Sequence, residues 1–129
     1  MPSTKESVEQ RMHFVKQDGG QVFKYAVRKM EELCKRLLDC HHLTPKDVKL
    51  LIPHQANRRI ILGVAERLGM DLEQVVINID RFGNTTGATI PLATRDAVDS
   101  GRLEKGDIVL FAAVGAGLTA GVNLWRWSY

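Results

Sequence analysis

The sequence predicts an α/β fold with a layered, mixed β-sheet that ends in an antiparallel strand pair. Three observations support this fold class. An amphipathic stretch with helical periodicity runs from Gln21 to about His41, and short apolar runs then alternate with further helical stretches. The glycine-rich tripeptide at 115–117 joins the last two apolar runs and is short enough for antiparallel neighbours. Strands alternating with helices are typical of layered α/β domains, and 129 residues suffice for one such domain.

The individual elements follow from periodicity and from turn residues. The polar residues 1–20 are expected to be a lead-in segment, and residues 21–129 are expected to form the domain. Stripes of apolar residues three and four apart predict the helices, and β-branched apolar runs predict the strands. The first strand, apolar at nearly every position, is of the kind that is buried on both faces. The predicted helices are 21–41, 58–68 and 88–100, and the predicted strands are 48–52, 75–79, 108–114 and 118–127.

Composition and charge exclude several classes of protein. With 44% hydrophobic and 26% charged residues, the chain has the composition of a globular protein rather than a disordered one. No apolar run approaches the roughly 18–20 residues that span a bilayer, and the start has no apolar signal, so a cytoplasmic location is expected. A net charge of +3 with only 6% aromatic residues argues against nucleic-acid binding. A local positive patch for an anionic partner remains possible.

The two cysteines do not indicate a disulfide or metal site. Cys34 and Cys40 lie six positions apart, which is not a redox or metal-ligand spacing, so two reduced thiols are expected. His41 and His42 follow Cys40, but the sequence offers no second ligand pair at a suitable spacing. No metal site is therefore expected.

Two uncharged polar side chains follow the predicted buried strands. His54 comes directly after one strand and Asn84 soon after the next, and ligands of α/β sheets bind outside the carboxyl ends of strands. If the strands are parallel neighbours, both side chains reach one edge of the sheet. An imidazole and a carboxamide aimed at one carbonyl oxygen would stabilise the enolate left when a neighbouring carboxylate departs as carbon dioxide. From spacing alone two alternatives stay open: His54 as a loop residue bonded to a backbone carbonyl, and Asn84 as an ordinary turn residue.

Four strings in the chain carry a family resemblance: QDGGQVFK at 17–24, IPHQANRRI at 52–60, DRFGNTTGATIP at 80–91 and VGAGLTAG at 114–121. The last three resemble the carboxyl-terminal half of the β-ketoacyl-acyl-carrier-protein synthase III family, which is thiolase-like, and the first resembles that family's lead into its long helix. The resemblance implies half of a thiolase-like fold. It also implies a decarboxylative Claisen condensation of an acyl-CoA, typically acetyl-CoA, with malonyl-acyl-carrier protein at the start of fatty acid synthesis. These compounds are substrates, and no cofactor is implied.

The resemblance also implies roles for individual residues. His54 and Asn84 match the family's catalytic pair that holds the malonyl thioester carbonyl. The backbone amide of Ala116 matches the donor that faces the oxyanion of the acyl-cysteine. The residues that match the pantetheine tunnel are Gly19, Phe23, Ala56, Asn57 and Ile60. The residues that match the basic surface for acyl carrier protein are Lys24, Gln55, Arg58 and Arg59.

The family's nucleophilic cysteine lies in an amino-terminal half that has no counterpart in this sequence. Cys34 and Cys40 do not replace it, because neither lies at a helix amino terminus or beside a cation. Turnover is therefore expected to require that half, as a separate chain or a missing segment, and the complete enzyme is expected to be a homodimer. Without it, several hundred Å² of apolar surface should be exposed. Three alternatives stay open. The chain could be a non-catalytic module that binds carrier protein, an isolated half that slowly decarboxylates malonyl thioesters, or a fragment of a chalcone-synthase-like polyketide enzyme.

Overall fold

A three-stranded mixed sheet lies at the centre of the computed structural model, which describes residues 3–14 and 17–129. Strand β1 (Leu50–Pro53) pairs in parallel with β2 (Ile108–Gly115), and β2 pairs antiparallel with β3 (Thr119–Arg126). The register aligns Ile52 with Phe111 and Phe111 with Asn123. The short connection at 116–118 therefore joins an antiparallel pair, as the sequence predicts.

Helices cover both faces of this sheet. The chain begins with a short helix α1 (Lys5–Glu9) and then forms the long helix α2 (Gly19–Cys40), which lies beside α3 (Arg58–Leu68). A single turn of helix α4 (Ile79–Phe82) precedes α5 (Thr89–Asp99). The predicted long helix thus begins two residues earlier than expected, inside the predicted lead-in. The rest of that lead-in contains α1, which has no buried residue, while residues 1, 2, 15 and 16 lie outside the described part.

Two apolar clusters hold the layers together. On one face, the stripe of α2 (with Met30, Cys34 and Leu38 buried) packs with α3 against Leu51 and Leu110 of the sheet. On the other face, Ala93 and Ala97 of α5 pack against a second set of strand residues, namely Leu50, Ile52, Val109 and Phe111. Successive strand residues thus point to opposite layers, which explains why nearly every position in these strands is apolar.

Close contact between α2 and α3 depends on Gly63. A Cβ atom at this position would come within 3.2 Å of the Val27 side chain, so the missing side chain lets the two helices approach. Helix α3 then ends at Gly69, whose φ of 67° is the left-handed conformation typical of a glycine that terminates a helix. The sequence-based end of this helix is confirmed.

The strand predicted at 75–79 does not form. Only an isolated parallel bridge between Leu51 and Val75 forms there, and α4 already begins at Ile79. The reason is that the segment finds other hydrogen-bond partners. The Val76 amide donates to Leu51 O at 2.9 Å, but beyond it the side chain of Gln55 bonds the backbone in place of a neighbouring strand. The parallel direction that the site prediction required is nevertheless present.

Some large apolar side chains remain exposed on the sheet face that α5 leaves uncovered. Trp125 of β3 contacts the edge of Phe111 at 5.5 Å between ring centroids, yet 56% of its surface is accessible. Its neighbours Val122 and Leu124 point to the opposite face and pack against the cluster under α2. Within residues 3–14 and 17–129, none of the helices combines the length and the apolar character that a membrane span requires.

Candidate active site

A cavity of about 300 Å³ lies where the parallel strands β1 and β2 end. His54 directly follows β1, and Gly115 is the last residue of β2, so the parallel pairing brings both to one edge of the sheet. The turn after α4 reaches the same cavity through Thr86. The complete lining is His54, Thr86, Ala113, Val114, Gly115, Thr119, Ala120 and Gly121.

His54 is fixed at both its backbone and its ring. Its amide donates to Ala112 O at 2.8 Å, which extends the pairing of β1 with β2 by one residue. Its ring Nδ1 lies 2.6 Å from Thr89 Oγ1, at the start of α5. The side chain is half-buried, and this desolvation lowers the pKa of His54 from its ordinary value of 6.5. The imidazole is therefore neutral at physiological pH.

Asn84 belongs to the same hydrogen-bonded network as His54. Its Oδ1 accepts a bond from the Thr86 amide at 3.0 Å, and Thr86 O accepts one from the Thr89 amide. Asn84, Thr86, Thr89 and His54 thus form one continuous chain of contacts. Asn84 itself is exposed, and its Nδ2 has no hydrogen-bond partner within the part of the chain that the structure describes. The predicted pair is brought into one network, while the roles of the two residues remain a prediction.

The turn that carries Asn84 depends on an unusual backbone conformation at Thr86. Thr86 has a φ of 52°, in the left-handed region that β-branched residues rarely adopt. This conformation directs the Thr86 amide back to the Asn84 side chain. Strained backbone of this kind is common at functional sites, where the surrounding structure holds it in place.

An acidic residue of α5 holds the helix that precedes this turn. Asp96 accepts a hydrogen bond from Asn78 Nδ2 at 2.6 Å and forms an ion pair with Arg81. Asn78 is buried, so its amide requires a partner. The sequence-based reading missed Asp96, Thr86 and Thr89. The only available signal was the spacing of the two threonines, three residues apart at a helix start.

The predicted position of Gln55 on the carrier-protein surface is wrong. Only 1% of this residue is exposed, so it cannot be part of a protein-binding surface. Its Nε2 donates to Pro53 O at 2.8 Å and to Val76 O at 3.0 Å, and its Oε1 accepts from the Asn78 amide at 3.0 Å. The carboxamide therefore joins the end of β1 to the segment that leads to Asn84. Gln55 is part of the support of the site.

Replacing Gln55 with alanine should lower the free energy of unfolding by about 1–3 kcal/mol. The variant leaves the buried Asn78 amide without its partner, and an unsatisfied buried donor costs roughly this much. Urea denaturation followed by circular dichroism measures the change. Gln10→Ala, at the exposed position directly after α1, is the control, with an expected change within about 0.5 kcal/mol. Equal stability of the two variants would contradict the support role.

A second cavity, of about 560 Å³, lies between α2 and α3 and has a basic rim. Phe23, Lys24 and Arg28 of α2 line it, and so do Gly63 and Arg67 of α3. Arg67 is paired with Glu31 at 2.9 Å, whereas Lys24 is exposed and forms no ion pair among the described residues.

Of the tunnel and surface residues predicted from the resemblance, Phe23 and Lys24 line this second cavity. Arg59 stacks over Phe23 with its guanidinium carbon 5.5 Å from the ring centroid, and Arg58 is exposed beside it. Asn57 caps α3, because its Oδ1 accepts from the Arg59 amide at 2.9 Å. The others are Gly19 at the start of α2, Ala56, which is half-buried, and Ile60, which packs against the core.

The predicted amide donor Ala116 lies in the exposed loop after β2. Gly117 and Leu118 both have positive φ, 74° and 55°, which turns the chain sharply into β3. The loop is held by Thr119 Oγ1, which donates to Ala116 O at 3.1 Å, and by the Tyr25 hydroxyl of α2, which donates to Leu118 O. Because Gly115 lines the first cavity, the amide of Ala116, the next residue, lies near the rim of that cavity.

Neither cysteine has the surroundings of a nucleophile. Cys34 is fully buried on the core-facing side of α2, and desolvation raises the pKa of its thiol from 9.0 to about 12. Cys40 is exposed as the last residue of α2, away from any helix amino terminus. The expectation that these thiols do not replace a catalytic cysteine agrees with this geometry.

A thiol reagent should therefore modify Cys40 and spare Cys34 in the folded chain. We expect Ellman's reagent to titrate one thiol under native conditions and both in denaturant, since only Cys40 is exposed. A Cys40→Ser variant should show no rapidly reacting thiol. Rapid modification of Cys34 in that variant would show that its thiolate is accessible and would contradict the assignment.

Comparison with known proteins identifies the family of this chain. The family described as 3-Oxoacyl-[acyl-carrier-protein (ACP)] synthase III C terminal matches residues 38–127. The β-ketoacyl-[acyl-carrier-protein] synthase III of Solibacter usitatus (strain Ellin6076) is 61% identical over 99% of this chain. The enzyme of the same name from Koribacter versatilis (strain Ellin345) is 54% identical, also over 99% of the chain.

The fold comparison agrees with the sequence comparison. The crystal structure of 3-oxoacyl-[acyl-carrier-protein] synthase III from Aquifex aeolicus VF5 superimposes with a TM-score of 0.87 and 43% identity, over 90% of this chain. The match covers 38% of the Aquifex chain. The present chain likewise spans only 39% and 38% of the lengths of the Solibacter and Koribacter relatives. The predicted half of a thiolase-like fold is confirmed.

Proposed function

Because the chain belongs to the 3-oxoacyl-[acyl-carrier-protein] synthase III C-terminal family, we propose that it provides the malonyl-activating part of a decarboxylative condensing site. The observation that carries this proposal is the network that joins His54 to Asn84 through Thr89 and Thr86 at the first cavity. A neutral imidazole and a carboxamide can both donate hydrogen bonds to one oxygen. Neither brings a permanent charge that would bind the substrate carboxylate and oppose its loss.

The reaction then proceeds in two stages on this geometry. The bond between the malonyl α-carbon and its carboxylate breaks, carbon dioxide leaves, and the electron pair becomes an enolate with its charge on the thioester oxygen. His54 and Asn84 donate to that oxygen and stabilise the charge as it forms. The enolate carbon next attacks the acyl group on a cysteine, forms the new carbon–carbon bond and releases the thiolate. On this proposal the Ala116 amide donates to the tetrahedral oxyanion of this second stage.

The remaining requirements come from outside the described residues. The acyl-carrying cysteine is supplied by the amino-terminal half of the synthase, because Cys34 and Cys40 are unsuited to the task. The exposed Trp125 face of the sheet is an apolar surface that fits contact with that half. On this proposal the substrates are an acyl-CoA and malonyl-acyl-carrier protein. The complete enzyme would work as a cytoplasmic homodimer without a further cofactor.

The basic rim of the second cavity supports acyl carrier protein as the partner. Lys24 lines this cavity, the guanidinium of Arg59 lies over the ring of Phe23, which also lines it, and Arg58 is exposed next to Arg59 in the chain. Carrier proteins of this type are acidic, so the charges are complementary. A pantetheine arm that passes Phe23 and Asn57 would run from this rim toward His54. The relatives' name, synthase III, favours this interpretation over a polyketide enzyme.

A chimeric synthase tests the proposal. The 128 aligned residues of the Solibacter usitatus enzyme are replaced with this chain, so that the amino-terminal half comes from a relative that is 61% identical. We expect acetoacetyl-carrier protein to form from acetyl-CoA and malonyl-carrier protein, within about tenfold of the parent rate. The parent enzyme is the positive control.

Two results separate the alternatives. A chimera that melts like the parent and binds carrier protein, but forms no condensation product, would support the non-catalytic binding module instead. Carbon dioxide release from malonyl-carrier protein by the 129-residue chain alone would show that decarboxylation requires only the residues present here. In each assay, product and carbon dioxide are measured separately.

A further inference from the structure

The hydrogen bonds of Thr89 bear on the position of the proton on the His54 ring. A neutral imidazole carries one proton, on Nδ1 or on Nε2, and only the protonated nitrogen can donate. The Nδ1 atom lies 2.6 Å from Thr89 Oγ1. If Thr89 donates to Nδ1, the ring proton is on Nε2, whereas if Nδ1 donates to Thr89, Nε2 is an acceptor.

The hydroxyl of Thr89 has two acceptors within reach and one proton to give. It lies 2.6 Å from His54 Nδ1 and 3.0 Å from Thr86 O. Thr89 is 2% exposed and is the first residue of α5. Because the residue is buried, its hydroxyl proton goes to one of these two acceptors and not to water.

Three observations favour donation to the imidazole. Thr86 O already accepts the backbone amide of Thr89, so this carbonyl keeps a partner without the hydroxyl. In contrast, Thr89 Oγ1 is the one hydrogen-bond partner of Nδ1 among the residues that the structure describes. The 2.6 Å separation is also shorter than the usual N–H donor range and falls within the range of hydroxyl donors.

We infer that Thr89 is a positioning residue whose hydroxyl donates to His54 Nδ1 and thereby keeps the ring proton on Nε2. Asn84 is arranged in the same way, because the Thr86 amide occupies its acceptor Oδ1 and leaves the Nδ2 donor. Both members of the pair thus have their acceptor atoms satisfied from within the chain and present N–H groups. The catalytic meaning of this arrangement rests on the proposed function, but the proton position itself does not.

Nitrogen NMR of the full chain tests the proton position directly. The 129-residue chain is labelled with ¹⁵N-histidine and measured near pH 8, where histidine is neutral. The His54 signals are assigned by their loss in His54→Gln. We expect a protonated Nε2 and an unprotonated Nδ1 shifted upfield by the hydrogen bond that it accepts. A protonated Nδ1 in the folded chain overturns the inference.

Three variants connect this state to the threonine. In Thr89→Val the Nδ1 signal should move downfield, toward the position of a nitrogen without a hydrogen bond, while Thr89→Ser should retain the wild-type position. Thr94→Val is the matched control, because it removes a hydroxyl of the same helix that bonds Ile90 O at 2.8 Å. Its His54 signals should not move. An unchanged Nδ1 signal in folded Thr89→Val overturns the inference, and if that variant unfolds, the wild-type spectrum decides.

The same variants in the chimeric synthase separate positioning from a general loss of structure. Thr89→Val should lower kcat about tenfold with little change in KM, the effect of one orienting hydrogen bond, and Thr89→Ser should restore most of it. Equal kcat in folded Thr89→Val and the parent would remove the positioning role. An inactive chimera with the expected NMR spectrum would instead count against the proposed function and leave the proton position intact.

Discussion

Replacing His54 or Asn84 with alanine in the chimeric synthase is expected to lower kcat for condensation by roughly 10²–10³-fold. On the proposed function, each change removes one donor from the thioester oxygen at the moment when charge develops on it. The loss should fall on kcat more than on KM, because the ground-state carbonyl carries little of that charge. Formation of acetoacetyl-carrier protein and release of carbon dioxide are the two measurements.

The double variant gives the sharper information. Because both side chains act on one oxygen through one hydrogen-bonded network, the double loss should be much smaller than the product of the single losses. The controls are His41→Ala and Gln10→Ala, two exposed residues that do not line the cavity and should retain parental kcat. Nearly full activity of folded His54→Ala or Asn84→Ala would contradict the assigned chemistry.

The fold class and most elements could be predicted because burial imposes a readable pattern on the sequence. The stripe of α2 and the apolar runs of β1 and β2 face the core, and their periodicity follows from helix and strand geometry. The strand predicted at 75–79 was wrong for a related reason. Val75 and Val76 are buried as expected, but a glutamine side chain, and not a strand, bonds the backbone that follows. Apolar periodicity does not show that a side chain will take the place of a neighbouring strand as the hydrogen-bond partner.

The candidate site was predictable at the level of its two most reactive side chains only. His54 directly follows β1, and Asn84 follows the segment that runs parallel to β1, so topology brings both into one network, although Asn84 does not line the cavity. The residues that hold this pair could not be predicted from topology. Thr86 matters because of its φ of 52°, and Thr89 because its hydroxyl lies 2.6 Å from His54 Nδ1, and neither feature can be read from the sequence. For Gln55 the prediction itself was wrong. The resemblance predicts a residue of the carrier-protein surface, whereas the structure buries its side chain.

Reversing the charges of Lys24 and Arg59 together should lower kcat/KM for malonyl-carrier protein by about 10- to 100-fold. Both side chains are exposed, and they flank Phe23 at the rim of the cavity between α2 and α3. An acidic carrier protein is attracted to this rim before its pantetheine arm enters, so the loss should appear mainly in KM. A small malonyl thioester without the protein should react at nearly the parental rate.

A matched control distinguishes this local effect from a change in net charge. Lys105→Glu with Arg126→Glu reverses one lysine and one arginine at the opposite edge of the sheet, where β2 begins and β3 ends. This pair should leave kcat/KM for the carrier substrate close to the parental value. Salt provides the second criterion: raising ionic strength should weaken the parent and the control strongly, and Lys24→Glu with Arg59→Glu much less, because screening acts only on an attraction that is present. If the two double variants lose activity equally, the α2–α3 rim is not where the carrier protein binds, although His54 and Asn84 could still perform the decarboxylation.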